Sequence, residues 1–195
     1  MKSQTARYLV RLAIMDFKPH PSDARSLLHE IQILLAPFSV EAMNLRVSSR
    51  AIEFDVFSSP SLAPEQWISC LEKRGTLLTC RRLDLQEPVI DSVQAITEAK
   101  RLWNEERFWE VHEVLEDVWK KEKSPQKEWL QSIILSAAAL VHAQKNEQDV
   151  VWPMLSQALK LMDQLPSVHW GFSFENLKNW IKNTLNSQTI KVKQV

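Results

Sequence analysis

The chain contains only two glycines, Gly75 and Gly171. A G-x-G-x-x-G dinucleotide loop, a P-loop and a G-x-S-x-G nucleophile elbow each need several closely spaced glycines. Their backbones adopt left-handed angles or approach a ligand too closely for a Cβ. None of these motifs exists here, so nucleotide-cradling enzymes of those kinds and α/β-hydrolases are excluded.

The first half of the chain alternates between strand and helix patterns. Arg7 to Asp16 places Tyr8, Val10, Leu12 and Ile14 on one side, which predicts a half-buried strand. Pro19-His20-Pro21-Ser22 breaks it, and Ala24, Leu27, Leu28, Ile31, Leu34 and Leu35 form one apolar helical face. Val40 to Val47 predicts a second strand burying Met43, Leu45 and Val47, and Arg50 to Phe57 a third burying Ile52, Phe54 and Val56. A helix follows Pro64, with Trp67, Ile68 and Leu71 inward and Gly75 after its end; Thr76 to Leu85 reads as the last strand.

The order β-α-β-β-α-β predicts a ferredoxin-like domain over residues 1–87, in an α+β chain whose remainder, residues 88–195, is an all-α helical bundle. Both helices of the first domain are expected on one face of its sheet. The other face carries Arg7, Arg11, Asn44, Arg46, Glu53 and Asp55. Glu53 and Asp55 would repel a phosphate backbone, which argues against an RNA-binding sheet and for cross-strand ion pairs on a solvated or domain-facing surface. With 24 basic and 24 acidic residues, no global charge draws the chain to nucleic acid or anionic membrane. The longest apolar run, Ile133 to Val141, is short of the roughly 20 residues a membrane span needs, and Met1 to Thr5 starts no signal peptide; a cytoplasmic protein is expected. Cys70 and Cys80 lack metal-ligand spacing and read as packed thiols.

Beyond Glu87-Pro88 the pattern turns helical: Asp91 to Asn104, a helix through Phe108 to Trp119, a second after Ser124-Pro125, another from Gln148 or Asp149 to Pro166, a loop at His169 to Phe172, and Phe174 to Leu185. No internal repeat is visible in the residues. Seven of the eight tryptophans fall in this half, where they serve mainly to fill a core, with Trp109 and Trp170 as exceptions that would face a partner. At about 100° per residue, Phe108, His112, Leu115, Glu116 and Trp119 share a face, which is expected to turn toward the core. On the next helix Gln131, Leu135, Ala138 and His142 share a face, and Ala137-Ala138-Ala139 permits close approach of a neighbouring helix.

The combination of Phe108-Trp109-Glu110, His112-Glu113, Glu116 and Trp119, followed by a Gln131-containing, Ala-rich helix ending in His142, resembles an uncharacterised prokaryotic family. It is the domain-of-unknown-function family numbered three hundred and nine. The resemblance spans roughly Ile96 to Leu165 and implies an all-helical segment with no established activity. The sequence departs from the pattern where a glycine usually precedes the aromatic pair and Glu105-Glu106-Arg107 stands instead. Ser132 replaces a glycine after Gln131, and a Gly-Ala pair after His142 is missing.

The first functional reading is a semi-buried His112/Glu116 pair with Trp119 packed over it, fixing helix register in a bundle that binds a protein or small-molecule partner. The sheet domain would then be a docking surface or a homodimer contact. The alternative is a metal-dependent, hydrolase-like site: His112, Glu116 and His142 as ligands of a divalent metal, with Glu113 as catalytic base, as in an H-E-x-x-H helix whose second His is Glu. No reaction or substrate follows from these residues.

Overall fold

The computed structural model describes residues 5–14, 18–85, 91–123, 125–165, 168–169 and 172–190. The chain is α+β: an N-terminal four-stranded antiparallel sheet with helices, then a C-terminal helical region. It divides into two compact units, Met1–Pro88 with Gln144–Asn146, and Val89–Ala143 with Glu147–Val195. The expected boundary at Glu87-Pro88 lies outside the described residues, as do Asp16, Ser124, Pro166, Trp170, Gly171 and the tail from Lys191.

The sheet unit runs β1 (Ala6–Ala13), α1 (Ala24–Leu35), β2 (Glu41–Val47), β3 (Ile52–Ser58), α2 (Glu65–Leu71) and β4 (Thr76–Arg82). Its strand order is β2-β3-β1-β4, with every neighbouring pair antiparallel. Strand alternation sends Tyr8, Val10, Leu12, Ile52, Phe54 and Val56 into one core with Leu27, Ile31 and Leu35 of α1 and Trp67 and Leu71 of α2. His20 accepts a hydrogen bond from the Ser22 backbone N–H and shapes the single turn that leads into α1. Gly75 is required by close approach: a Cβ there would lie 2.4 Å from the Ala13 carbonyl oxygen. Both cysteines are unpaired. Burial, then the Glu65 charge, pushes the Cys80 thiol up to about 11, and burial also raises Cys70, so both are poor nucleophiles.

Two irregularities were not visible in the alternation. In β2, Met43 pairs with Asp55 and Arg46 with Glu53, so Asn44 and Leu45 together face Phe54. Asn44 takes φ 55°, a left-handed bulge conformation. The extra residue resets the alternation: Ala42 and Leu45 are buried, whereas Met43, expected inward, is 43% exposed. In β4, Thr79 pairs with Arg11 and Leu77 with Leu12, leaving Leu78 as the extra residue, exposed at 47%.

The opposite face of the sheet carries the expected ion pairs, with Arg11, Arg46, Glu53 and Asp55 buried and the Arg7 side chain 36% exposed. Arg46 Nε lies 2.8 Å from Glu53 and its Nη2 3.1 Å from Asp55. Arg7 also reaches Asp55 at 2.9 Å, Asn44 donates to it at 2.9 Å, and Arg11 approaches Glu53 at 3.6 Å. The Coulomb attraction and hydrogen bonds within this network offset a desolvation cost of several kcal/mol or more per ion, on the order given by continuum arguments.

Trp67 is fully buried, packs edge-on to Tyr8 at 5.8 Å, and its indole N–H finds no acceptor among the described residues. An unpaired buried donor costs about 1–3 kcal/mol, so Trp67→Phe relieves that cost while opening a small cavity. Urea denaturation should show Trp67→Phe within about 1 kcal/mol of the parent, far milder than the roughly 3–5 kcal/mol typical of a buried Trp→Ala.

The helical unit contains α3 (Ser92–Asn104), α4 (Phe108–Trp119), α5 (Gln126–Gln144), α6 (Gln148–Met162) and α7 (Phe174–Ser187). It is not purely helical: β5 (Val168–His169) pairs antiparallel with β6 (Phe172–Ser173), where a loop was expected. Asp91 caps α3 through a reciprocal box with Gln94. Trp103 sits at the centre of the core, edge-on to Phe108 at 5.3 Å and to Trp180 at 6.4 Å. Trp103, Trp129 and Trp180 are buried in the core of this unit and Trp119 and Trp152 are half-buried against it; Trp109, expected to face a partner, is half-buried. No helix among the described residues is long and apolar enough to cross a membrane.

Candidate functional site

The site helix, α4, is set by the turn before it. At the end of α3 the Arg107 N–H bonds the Leu102 carbonyl and the Glu106 N–H bonds that of Trp103, both at 3.0 Å. Glu106 lies between them at φ 59°. This is a Schellman motif with glutamate in the left-handed position that favours glycine. It falls within Glu105-Glu106-Arg107, and the turn forms there without a glycine.

An ion chain locks the start of α4. Glu110 is buried, and its carboxylate takes both Nε and Nη2 of Arg107, at 2.6 and 2.8 Å. Arg107 Nη1 reaches Glu105 at 3.0 Å, and Arg101 joins Glu105 to Glu98. Burial alone would raise the Glu105 carboxyl, but hydrogen bonds from Arg107 and Arg101 outweigh it and hold it below its ordinary range. Because the folded value is depressed, the contribution is complete at neutral pH and is lost as pH falls through that value. Sequence reasoning missed Glu110 as a buried charge; the signal was Arg107 three residues before it.

The buried face of α4 is Phe108, Val111, Leu115 and Val118. At about 100° per residue its centre falls roughly 80° from His112 and 120° from Glu116. These two residues, expected to point into the core, lie on its rim. Val111 and Val118 are buried while Trp119 is half-buried, so the buried stripe lies to one side of the expected one.

His112, Glu113 and Glu116 are 31%, 47% and 36% exposed in their side chains. Each offers one ligand atom, and these atoms lie within 4.8 Å of one another. His112 Nδ1 is 3.3 Å from Glu113, its chain neighbour. Trp119, half-buried against the core, has Lys127 Nζ 4.3 Å from its ring centroid. His142 does not join the group: its Nδ1 contacts Glu147 at 2.5 Å across the turn between α5 and α6. Gln131 is half-buried on α5.

This arrangement is a helical segment with a half-exposed polar rim beside its buried face. Residues 96–152 of that segment match the family model described as Domain of unknown function (DUF309). The match begins at Ile96, as the resemblance in the residues does, and ends at Trp152, inside the C-terminal helical half. No curated protein matches the chain.

Proposed function

We propose that the helical unit is a binding module that takes a divalent cation on the rim of α4, with His112, Glu113 and Glu116 supplying the ligand atoms. The single observation that carries this reading is their convergence within 4.8 Å while each remains accessible to solvent. One imidazole and two carboxylates are borderline-to-hard donors, suited to zinc or manganese rather than to soft cations. Three protein ligands leave further positions for water or a bound molecule, the condition for Lewis-acid chemistry.

The sheet unit is, on the same footing, a ferredoxin-like domain over residues 1–87, and residues 88–195 form the second domain. The strand order β2-β3-β1-β4, with β1 and β3 central, supports the first assignment.

A second reading, that the group is structural, has in its favour the 3.3 Å contact of His112 with Glu113 rather than with Glu116 of the expected pair. The two readings part in one experiment. Protein purified without chelator is titrated with zinc or manganese by calorimetry, alongside His112→Ala and Glu116→Gln. The cation reading expects binding in the parent, its loss in both variants, and stability changes within about 0.5 kcal/mol, as for surface positions. A parent that takes up neither ion, or variants that bind equally well, would sink it. Destabilisation of about 1–2 kcal/mol without any metal effect would establish the structural pair.

A further inference from the structure

We infer that the segment from α3 to α6 is built from two copies of one helix–turn–helix hairpin, forty residues apart, and that the polar group on α4 is carried by the first copy alone. The two turns coincide in detail. Glu106 has φ 59° and Asn146 φ 63°. Arg107, which starts α4, has φ −92° and ψ 55°; Glu147, which starts α6, has φ −100° and ψ 62°. The same hydrogen bond closes each turn: Arg107 N–H to the Leu102 carbonyl, and Glu147 N–H to that of His142.

The helices that follow are buried alike. From Val111 to Lys120 and from Val151 to Lys160, the succession of buried, half-buried and exposed positions is identical. Val111 and Leu115 correspond to Val151 and Leu155, the same residues, and Val118 to Ala158; all six are buried in one core. Before the turn, Ala99 corresponds to Ala139 and Trp103 to Ala143, again all buried. The relation is hidden in the residues because only these core positions and the turn constrain both copies, and Trp103 and Ala143 differ greatly in size.

The copies differ on the rim. His112, Glu113 and Glu116 correspond to Trp152, Pro153 and Ser156. The same hairpin therefore forms with no metal-ligating side chain at any of the three positions. Packing of the hairpin does not call for the imidazole or the carboxylates; that they serve a cation rests on the reading proposed above.

Exchange between the copies tests both parts. Asparagine tolerates the left-handed conformation better than glutamate. Glu106→Asn should raise Tm by roughly 2–4 °C and Asn146→Glu should lower it by a similar amount. If only one of them shifts Tm, or both shift it the same way, the two turns are not equivalent and the duplication falls, whatever zinc does. The double variant His112→Trp/Glu116→Ser gives the first copy two of the three rim residues of the second. It should keep Tm within about 3 °C and lose zinc uptake measured by calorimetry. A fall beyond about 10 °C would show the group to be part of the hairpin's packing and overturn the second part. A parent that binds no zinc would remove the cation reading while leaving the turn exchange to decide the duplication.

Discussion

Asp55→Ala should destabilise the sheet unit by about 3–5 kcal/mol, the cost of breaking a buried ion pair from one side. The carboxylate is fully buried and receives Arg7, Arg46 and Asn44 at 2.9, 3.1 and 2.9 Å. Removing it takes one carboxylate from Arg46, whose side chain is only 3% exposed and which keeps Glu53 at 2.8 Å. Asp55→Asn keeps the shape and an acceptor but loses the charge, and should fall between parent and alanine variant. Urea unfolding of the three proteins, followed by hydrogen exchange in β1 and β3, provides the measurement. A loss below about 1 kcal/mol for the alanine variant would mean that the network is energetically idle, as exposed ion pairs often are.

Trp103→Ala carries the second large effect, about 3–5 kcal/mol from lost transfer energy and the cavity left behind. The ring is 1% exposed and edge-on to Phe108 of α4 and Trp180 of α7, so its loss loosens three helices at once. Trp103→Phe should recover part of that loss. Hydrogen exchange should report faster opening of α3, α4 and α7 in the alanine variant. Unchanged protection in all three helices would show that the ring is not what holds them together.

What the residues disclosed, and what they hid, follows from how far each signal reaches. Alternation in Ile52-Glu53-Phe54-Asp55-Val56 gave both the buried face of β3 and the acidic partners for Arg7, Arg11 and Arg46, because a period of two is local. The bulge at Asn44 could not be read that way. It depends on a left-handed residue, and an asparagine between apolar residues does not announce one. The motif on α4 was legible as a set of residues, and its family match begins where the pattern does. Its orientation was not. The direction of an amphipathic face is a sum over several side chains, and Val111 and Val118 decide it by contacts made outside the helix. His142 fell to the same difficulty: its partner, Glu147, comes from the turn that follows it rather than from the neighbouring helix face.

The two extra residues in the sheet, at Asn44–Leu45 and at Leu78, sit in its two outermost strands. A stray peptide arriving at either margin meets an interrupted row of amides and carbonyls, so end-on polymerisation of sheets lacks a straight template. Crowding this protein should therefore raise its viscosity well before it seeds fibrils.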